Sequence, residues 1–123
     1  MSEVDILIPT YNRPEALAIT LTSLISQQYR DFHIIISDQG EETHLSGSVE
    51  IQAIMRVLEL HGNKVTIYKH LPRQGMAEQR QFLLDHSSAP YLLYLDDDLI
   101  LEPYVVGNMG KAIREEASGF VGS

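Results

Sequence analysis

Three consecutive aspartates, Asp96-Asp97-Asp98, are the residues of this sequence best suited to chemistry. Adjacent carboxylates repel, and such a cluster persists most easily where a cation compensates it. Hard oxygen donors suit Mg²⁺ or Mn²⁺, which take one or two carboxylates together with substrate phosphates. The plainer alternative is a solvated turn, or acids gathered at the N-terminus of the following helix, where the macrodipole favours negative charge. The surroundings weigh against a solvated turn. Leu92-Leu93-Tyr94-Leu95 precedes the triplet and Leu99-Ile100-Leu101 follows it, so apolar segments clamp the acids on both sides.

Other polar residues fall at comparable places. Pro9-Thr10-Tyr11-Asn12-Arg13 follows one apolar run, Asp38 ends a second, and Arg73 and Gly75 follow a third. Each has an ordinary alternative. Asp38 can cap the turn after it, Tyr11 can pack on a sheet edge, and Arg73 and Arg80 can form surface ion pairs. The histidines (His33, His44, His61, His70 and His86) show no metal-ligand spacing and receive no role.

The elements give these places a common logic. Apolar runs alternate with helix-period segments, the pattern of an α/β fold with a mainly parallel sheet. Strands are expected over Val4–Pro9, Phe32–Ser37, Val65–Lys69 and Tyr91–Leu95. A first helix is predicted from Asn12-Arg13-Pro14-Glu15, where Asn12 and Glu15 have capping-box spacing and Pro14 suits a first turn. Ile51, Ile54, Met55 and Leu58 mark a second helix ending at Gly62-Asn63, Met76 to His86 a third, and Pro103 opens a fourth with Val105, Met109 and Ile113 on one side. In open α/β sheets ligands bind beyond the carboxyl ends of the strands. The polar sets that follow the four strands all project toward that edge.

Composition narrows the function further. The 123 residues suit one domain, with 44% hydrophobic and 21% charged residues, and no repeat, low-complexity tract or linker interrupts them. A formal charge of -8 without a Lys/Arg run argues against nucleic acid as a partner. An acidic protein still binds a compact diphosphate when a divalent cation stands between the two negative parties. No run approaches the ~20 apolar residues of a membrane span. The acidic start Met1-Ser2-Glu3-Val4-Asp5 is unlike a secretory signal, and the absence of cysteine excludes a disulfide scaffold or a thiolate metal site. A cytoplasmic location, peripheral to the inner membrane face for a longer parent, is the expectation.

Taken in order, these residues resemble the inverting glycosyltransferases of family 2. Val4-Asp5-Ile6-Leu7-Ile8-Pro9-Thr10-Tyr11-Asn12-Arg13 is similar to that family's opening strand and Pro-[Thr/Ser]-[Tyr/Phe]-Asn-Arg. Gln27-Gln28-Tyr29 resembles its segment before the second strand, and Ile34-Ile35-Ile36-Ser37-Asp38-Gln39-Gly40 its strand ending in Asp-[Asp/Asn/Gln]-Gly. Arg73-Gln74-Gly75-Met76-Ala77-Glu78-Gln79-Arg80 resembles Asn-x-Gly-x-x-x-Ala-Arg-Asn, with Arg73 in place of Asn and Gln81 in place of the second Asn. Tyr94-Leu95-Asp96-Asp97-Asp98, then Leu101-Glu102-Pro103, resembles Leu-Asp-x-Asp with its downstream Pro.

The resemblance implies a GT-A fold, a Rossmann-like α/β sandwich with parallel strands ordered 3-2-1-4, and a nucleotide-diphosphate sugar donor, UDP-sugar favoured. Residues 1–123 would be its N-terminal, nucleotide-sugar-binding portion. Thr10 and Tyr11 would line the base pocket and Asp38 would accept a hydrogen bond from the base. Arg13, Arg73 and Arg80 would lie near base or diphosphate. Asp96 and Asp98 would form the Asp-x-Asp pair, Asp96 toward the ribose and sugar and Asp98 on a bridging Mn²⁺ or Mg²⁺, with Asp97 the variable middle residue. The catalytic base is expected beyond Ser123, as is the site for a sugar or lipid-linked acceptor.

Gly119-Phe120-Val121-Gly122-Ser123 reads as the beginning of a fifth strand, which points to a partial domain. The fourth strand is then expected at an uncovered edge, an invitation to pair with a second copy as a homodimer. Three rivals compete. A receiver domain needs acids after its first strand, where this chain has Pro-Thr-Tyr. A flavodoxin-like module needs a Ser/Thr/Gly-rich loop there. A non-catalytic nucleotide-binding module of the same fold is the remaining alternative.

Overall fold

A computed structural model describes residues 2–40, 45–72, 75–116 and 120–122 of the chain. Five strands, β1 (Val4–Thr10), β2 (Phe32–Asp38), β3 (Val65–Lys69), β4 (Tyr91–Tyr94) and β5 (Phe120–Gly122), alternate with four helices. The helices are α1 (Pro14–Ile25), α2 (Val49–Leu60), α3 (Met76–Asp85) and α4 (Val105–Glu116), with a short 3₁₀ turn at Leu45–Gly47 before α2. The sheet runs β3-β2-β1-β4-β5 and every neighbouring pair is parallel.

The expected order 3-2-1-4 is therefore present, with one correction. β4 is not an edge, because β5 pairs along its far side from Leu92↔Phe120 to Tyr94↔Gly122. The case for a homodimer joined through β4 falls with that pairing.

Parallel strands need crossovers, and the helices on both faces bury the central strands most completely, while β3 and the start of β4 are half-buried. β1 is buried along its full length. Val4, Ile6 and Ile8 share one face with Phe32, Ile34 and Ile36 of β2, and pack against Leu17, Leu21 and Leu24 of α1, Ile51 and Leu58 of α2 and Val106 of α4. Leu7 and Ile35 point the other way, onto Leu83 of α3 and Tyr94. Each such side chain contributes roughly 1.5–3 kcal/mol relative to exposure. The register sets Thr10 opposite Asp38 and Asp38 opposite Lys69, so the carboxyl ends of three strands finish level.

Helix starts depart from expectation in two places. The Asn12/Glu15 capping box does not form: the N-cap is Arg13, which makes no side-chain cap bond. Asn12 instead adopts a φ of 51°, a left-handed turn that asparagine tolerates better than most residues. α4 begins at Val105 rather than Pro103, and buries Val106 in the core. The Gln27 side chain sets that boundary, accepting from Val106 N at 3.0 Å and donating to Glu102 O at 2.8 Å. Ile113's side chain lies outside the described residues.

Candidate functional site

A cavity of about 240 Å³ opens at the carboxyl ends of the strands. Pro9, Thr10, Tyr11 and Arg13 form its β1 wall, Gln39 its β2 wall and Asp97 its β4 wall, while Gly75, Met76 and Gln79 supply the first turns of α3. A larger groove of about 730 Å³ lies between α1 and the start of α2, but Ala18, Ile19 and Gly47 give it little chemistry beyond two exposed glutamates. The smaller cavity is the one the strand ends build.

Its back wall is a single hydrogen-bonded unit. Thr10, 3% exposed, donates its hydroxyl to Asp97 Oδ2 at 2.8 Å. Arg13 Nη1 lies 3.3 Å from Asp97 Oδ1, and Nη2 donates to Asp98 Oδ2 at 2.9 Å. The hydrogen bond that Arg13 donates to Asp98, then the charge of Asp97, hold its guanidinium above the ordinary pKa. The left-handed turn at Asn12 is what delivers Arg13 from the end of β1 to the acids after β4. The acid triplet thus carries its own compensating cation.

The middle aspartate also has a structural role. Asp97 is 6% exposed, lines the cavity and fastens β1 to the segment after β4, whereas Asp96 and Asp98 on either side of it are exposed and do not line the cavity. No group of three or more His, Cys, Asp or Glu side chains converges on one point among the described residues. The donor set is therefore no all-protein cage. It fits a hard cation held by one or two exposed carboxylates and completed by phosphate oxygens.

Asp38 is buried but does not line the cavity. Its Oδ1 accepts from Gly40 N at 2.8 Å and its Oδ2 faces Lys69 Nζ at 3.4 Å. It closes the turn after β2, and Gln39 takes the wall position beside it. Arg80 is also absent from the cavity: its guanidinium sits 5.6 Å from the centroid of the Tyr94 ring, outside the rim. Arg73 lies outside the described residues.

Two wall residues escaped the sequence reading. Gln39 is 1% exposed, with its Nε2 3.3 Å from His70 Nδ1. Gln79 is 4% exposed and donates from Nε2 to Ser37 O at 2.9 Å and to Thr10 O at 3.4 Å, tying the ends of β2 and β1 to α3. One signal existed for Gln79: in the Gly75 to Gln81 segment it falls where the family pattern has Ala. Gly75 adopts a φ of 104°, open to glycine and strained for other residues, and so starts α3 directly beneath the cavity.

The comparisons with known proteins agree with this fold. The glucosyltransferase "GalNAc(5)-diNAcBac-PP-undecaprenol beta-1,3-glucosyltransferase" of Campylobacter jejuni is 24% identical over 99 residues, 80% of this chain and 30% of that protein. The succinoglycan biosynthesis protein ExoM of Rhizobium meliloti is 31% identical over 98 residues, 77% of this chain and 29% of its own length. The chain thus spans under a third of these relatives. Among solved structures, S. aureus TarS 1-349 in complex with UDP-GlcNAc superposes with a TM-score of 0.70 at 19% identity, over 95% of this chain and 32% of that one. The mannosyltransferase PcManGT of Pyrobaculum calidifontis, in complex with GDP-Man and Mn²⁺, gives 0.71 at 19% identity, over 90% of this chain and 32% of its own. Both share the GT-A fold of this chain. Glycosyl transferase family 2 matches residues 5–123, nearly every position from the first strand to the last, and the chain belongs to that family.

Proposed function

We propose that this chain forms the donor site of a metal-dependent glycosyltransferase that takes a nucleotide-diphosphate sugar, UDP-sugar favoured, and transfers the sugar with inversion. The observation that carries this reading is the Thr10–Asp97–Arg13 unit, which lines the strand-end cavity and fixes exposed Asp96 and Asp98 on either side of Asp97. Tyr11, on the cavity wall and 37% exposed, offers its ring to a base. Asp98 and Asp96 would hold Mn²⁺ or Mg²⁺ together with the diphosphate. When bound, that ion supplies Lewis-acid neutralisation of the charge developing on the departing diphosphate. Arg13 keeps the acids compensated beforehand and is half exposed, free to follow the incoming phosphates. Asp38 shapes the Gln39-Gly40 turn through its Oδ1, and its Oδ2, 3.4 Å from Lys69 Nζ, keeps acceptor capacity for a base.

TarS with UDP-GlcNAc and PcManGT with GDP-Man and Mn²⁺ support the class of donor and the ion. The undecaprenol-linked substrate named for the Campylobacter jejuni relative supports a lipid-linked acceptor. Calorimetry with UDP in Mn²⁺ and in chelator tests the reading. Affinity should collapse in chelator, and Asp98→Asn should remove the difference between the two conditions. Equal affinity with and without the ion would return the triplet to an ordinary helix-terminal cluster.

A further inference from the structure

Arg13 joins two places that the geometry otherwise keeps apart. It lines the strand-end cavity, as the cation among the described lining residues, and its guanidinium reaches out to an acid that does not line it. The grip is a fork: Nη1 lies 3.3 Å from Asp97 Oδ1, and Nη2 donates to Asp98 Oδ2 at 2.9 Å. The charge of Asp96 acts on the same guanidinium. Asp97 is engaged on both oxygens, because Thr10 donates to its Oδ2 at 2.8 Å. The exposed Asp98 carboxylate is held, among the described residues, by Arg13. The main chain on either side of Arg13 is set by the left-handed turn at Asn12 and by Pro14 at the start of α1. Release of the acids is therefore a matter of side-chain rotation.

We infer that Arg13 is a resident counter-ion that holds Asp98 against a divalent cation until a diphosphate draws the guanidinium away, so that cation and donor enter together. This rests on the donor-site reading above and gives that site its order of binding. A cation drawn to Asp98 meets a guanidinium already bonded to the same carboxylate, and the two positive charges repel. A diphosphate arriving alone meets three carboxylates offset by one guanidinium, and is repelled in turn. Arriving together, the two remove each other's obstacle. The planar fork of Arg13 matches phosphate oxygens as well as it matches carboxylates, and its side chain is half exposed, with room to turn. A guanidinium that turns from Asp98 to phosphate leaves the carboxylate open to the cation. Each ligand then raises the affinity of the other by the same factor.

The test follows Mn²⁺ binding by the loss of its free-ion electron paramagnetic resonance signal, first without nucleotide and then with UDP, corrected for Mn²⁺ held by UDP in solution. The parent should bind Mn²⁺ weakly alone and about tenfold or more tightly with UDP. Arg13→Gln should bind Mn²⁺ alone about tenfold or more tightly than the parent does, and gain less from UDP. The sign of this change is decisive. A guanidinium that only props the acids would make the variant bind the bare ion more weakly, and one that only grips phosphate would leave bare-ion affinity unchanged. Either result overturns the inference and leaves the donor site standing. Because the substitution also takes a partner from Asp97, the ¹⁵N resonances of the Arg13 guanidinium are followed in the unaltered protein. They should hold their positions in Mg²⁺ alone and shift once UDP joins it. The same shift in Mg²⁺ alone would likewise overturn the inference. Absence of Mn²⁺ uptake even with UDP would remove the donor-site reading and this inference together.

Discussion

Asp96, Asp97 and Asp98 look interchangeable in the sequence, and the structure gives them different work. Asp97 is buried against Thr10 and Arg13, so truncating it leaves a buried hydroxyl without its acceptor. Asp97→Ala should lower stability by about 1–3 kcal/mol. Asp96→Ala, at an exposed position, should stay within roughly 0.5 kcal/mol of the parent. Urea denaturation of the two variants separates the roles, and equal midpoints would refute the distinction. The cluster itself was legible because apolar runs flank it. Which member is buried was not, since the strand alternation ends at Tyr94 and the triplet rounds a turn. Gln79 was missed for a related reason: a polar residue within a helix reads as solvent-facing, and nothing local reveals two strand ends above it.

At the level of elements, the strands were readily legible, because buried parallel strands are apolar on both faces. β1, β2 and β3 lie within one residue of their predicted bounds. Helix starts were harder. Asn12 has the composition of a cap but serves as a left-handed corner, and the α4 start is set by Gln27, a residue remote in sequence. The start of α3 is governed by Gly75, whose φ of 104° accompanies a ψ of 173°. A Cβ placed there would meet nothing within 4 Å, so any penalty in Gly75→Ala is backbone strain alone. That penalty should be roughly 1–3 kcal/mol. UDP affinity should fall with it, because Met76 and Gln79 move with the helix start. Thermal melts and calorimetry on this variant check both effects, and an unchanged melting temperature would show that the turn relaxes freely.

For the molecule as a whole, the end of the sheet opposite the cavity decides how the fold responds to acid. Asp5 is 1% exposed; its Oδ2 accepts from Ser88 N at 2.8 Å and Ala89 N at 3.0 Å, and His33 Nδ1 lies 3.5 Å from its Oδ1. Burial alone would raise its pKa, but the hydrogen bonds from His33, Ala89 and Ser88 outweigh it and hold the carboxyl below its ordinary value of 3.8. A depressed pKa stabilises the fold above the unfolded-state value, and the contribution is lost as pH falls through the folded-state value. Asp5→Asn should therefore lower the melting temperature near neutral pH. The gap from the parent should close only as the pH drops below 3.8. A gap that stays constant through the acid range would exclude ionised Asp5 as its source.

The bond from Thr10 to Asp97 joins residues 87 apart in sequence, so it closes a loop comprising most of the chain. Closure on that scale costs little more than closure of a shorter loop. What it dictates is order in time. During synthesis β1, β2 and β3 emerge with their helices before Asp97 has been made, and non-local parallel pairing is intrinsically slow. A nascent chain arrested before β4 has neither the wall that Asp97 provides nor the exposed acids beside it. Donor affinity should thus switch on abruptly with the emergence of the triplet from the ribosome, which makes nucleotide capture a reporter that the sheet has closed around β1.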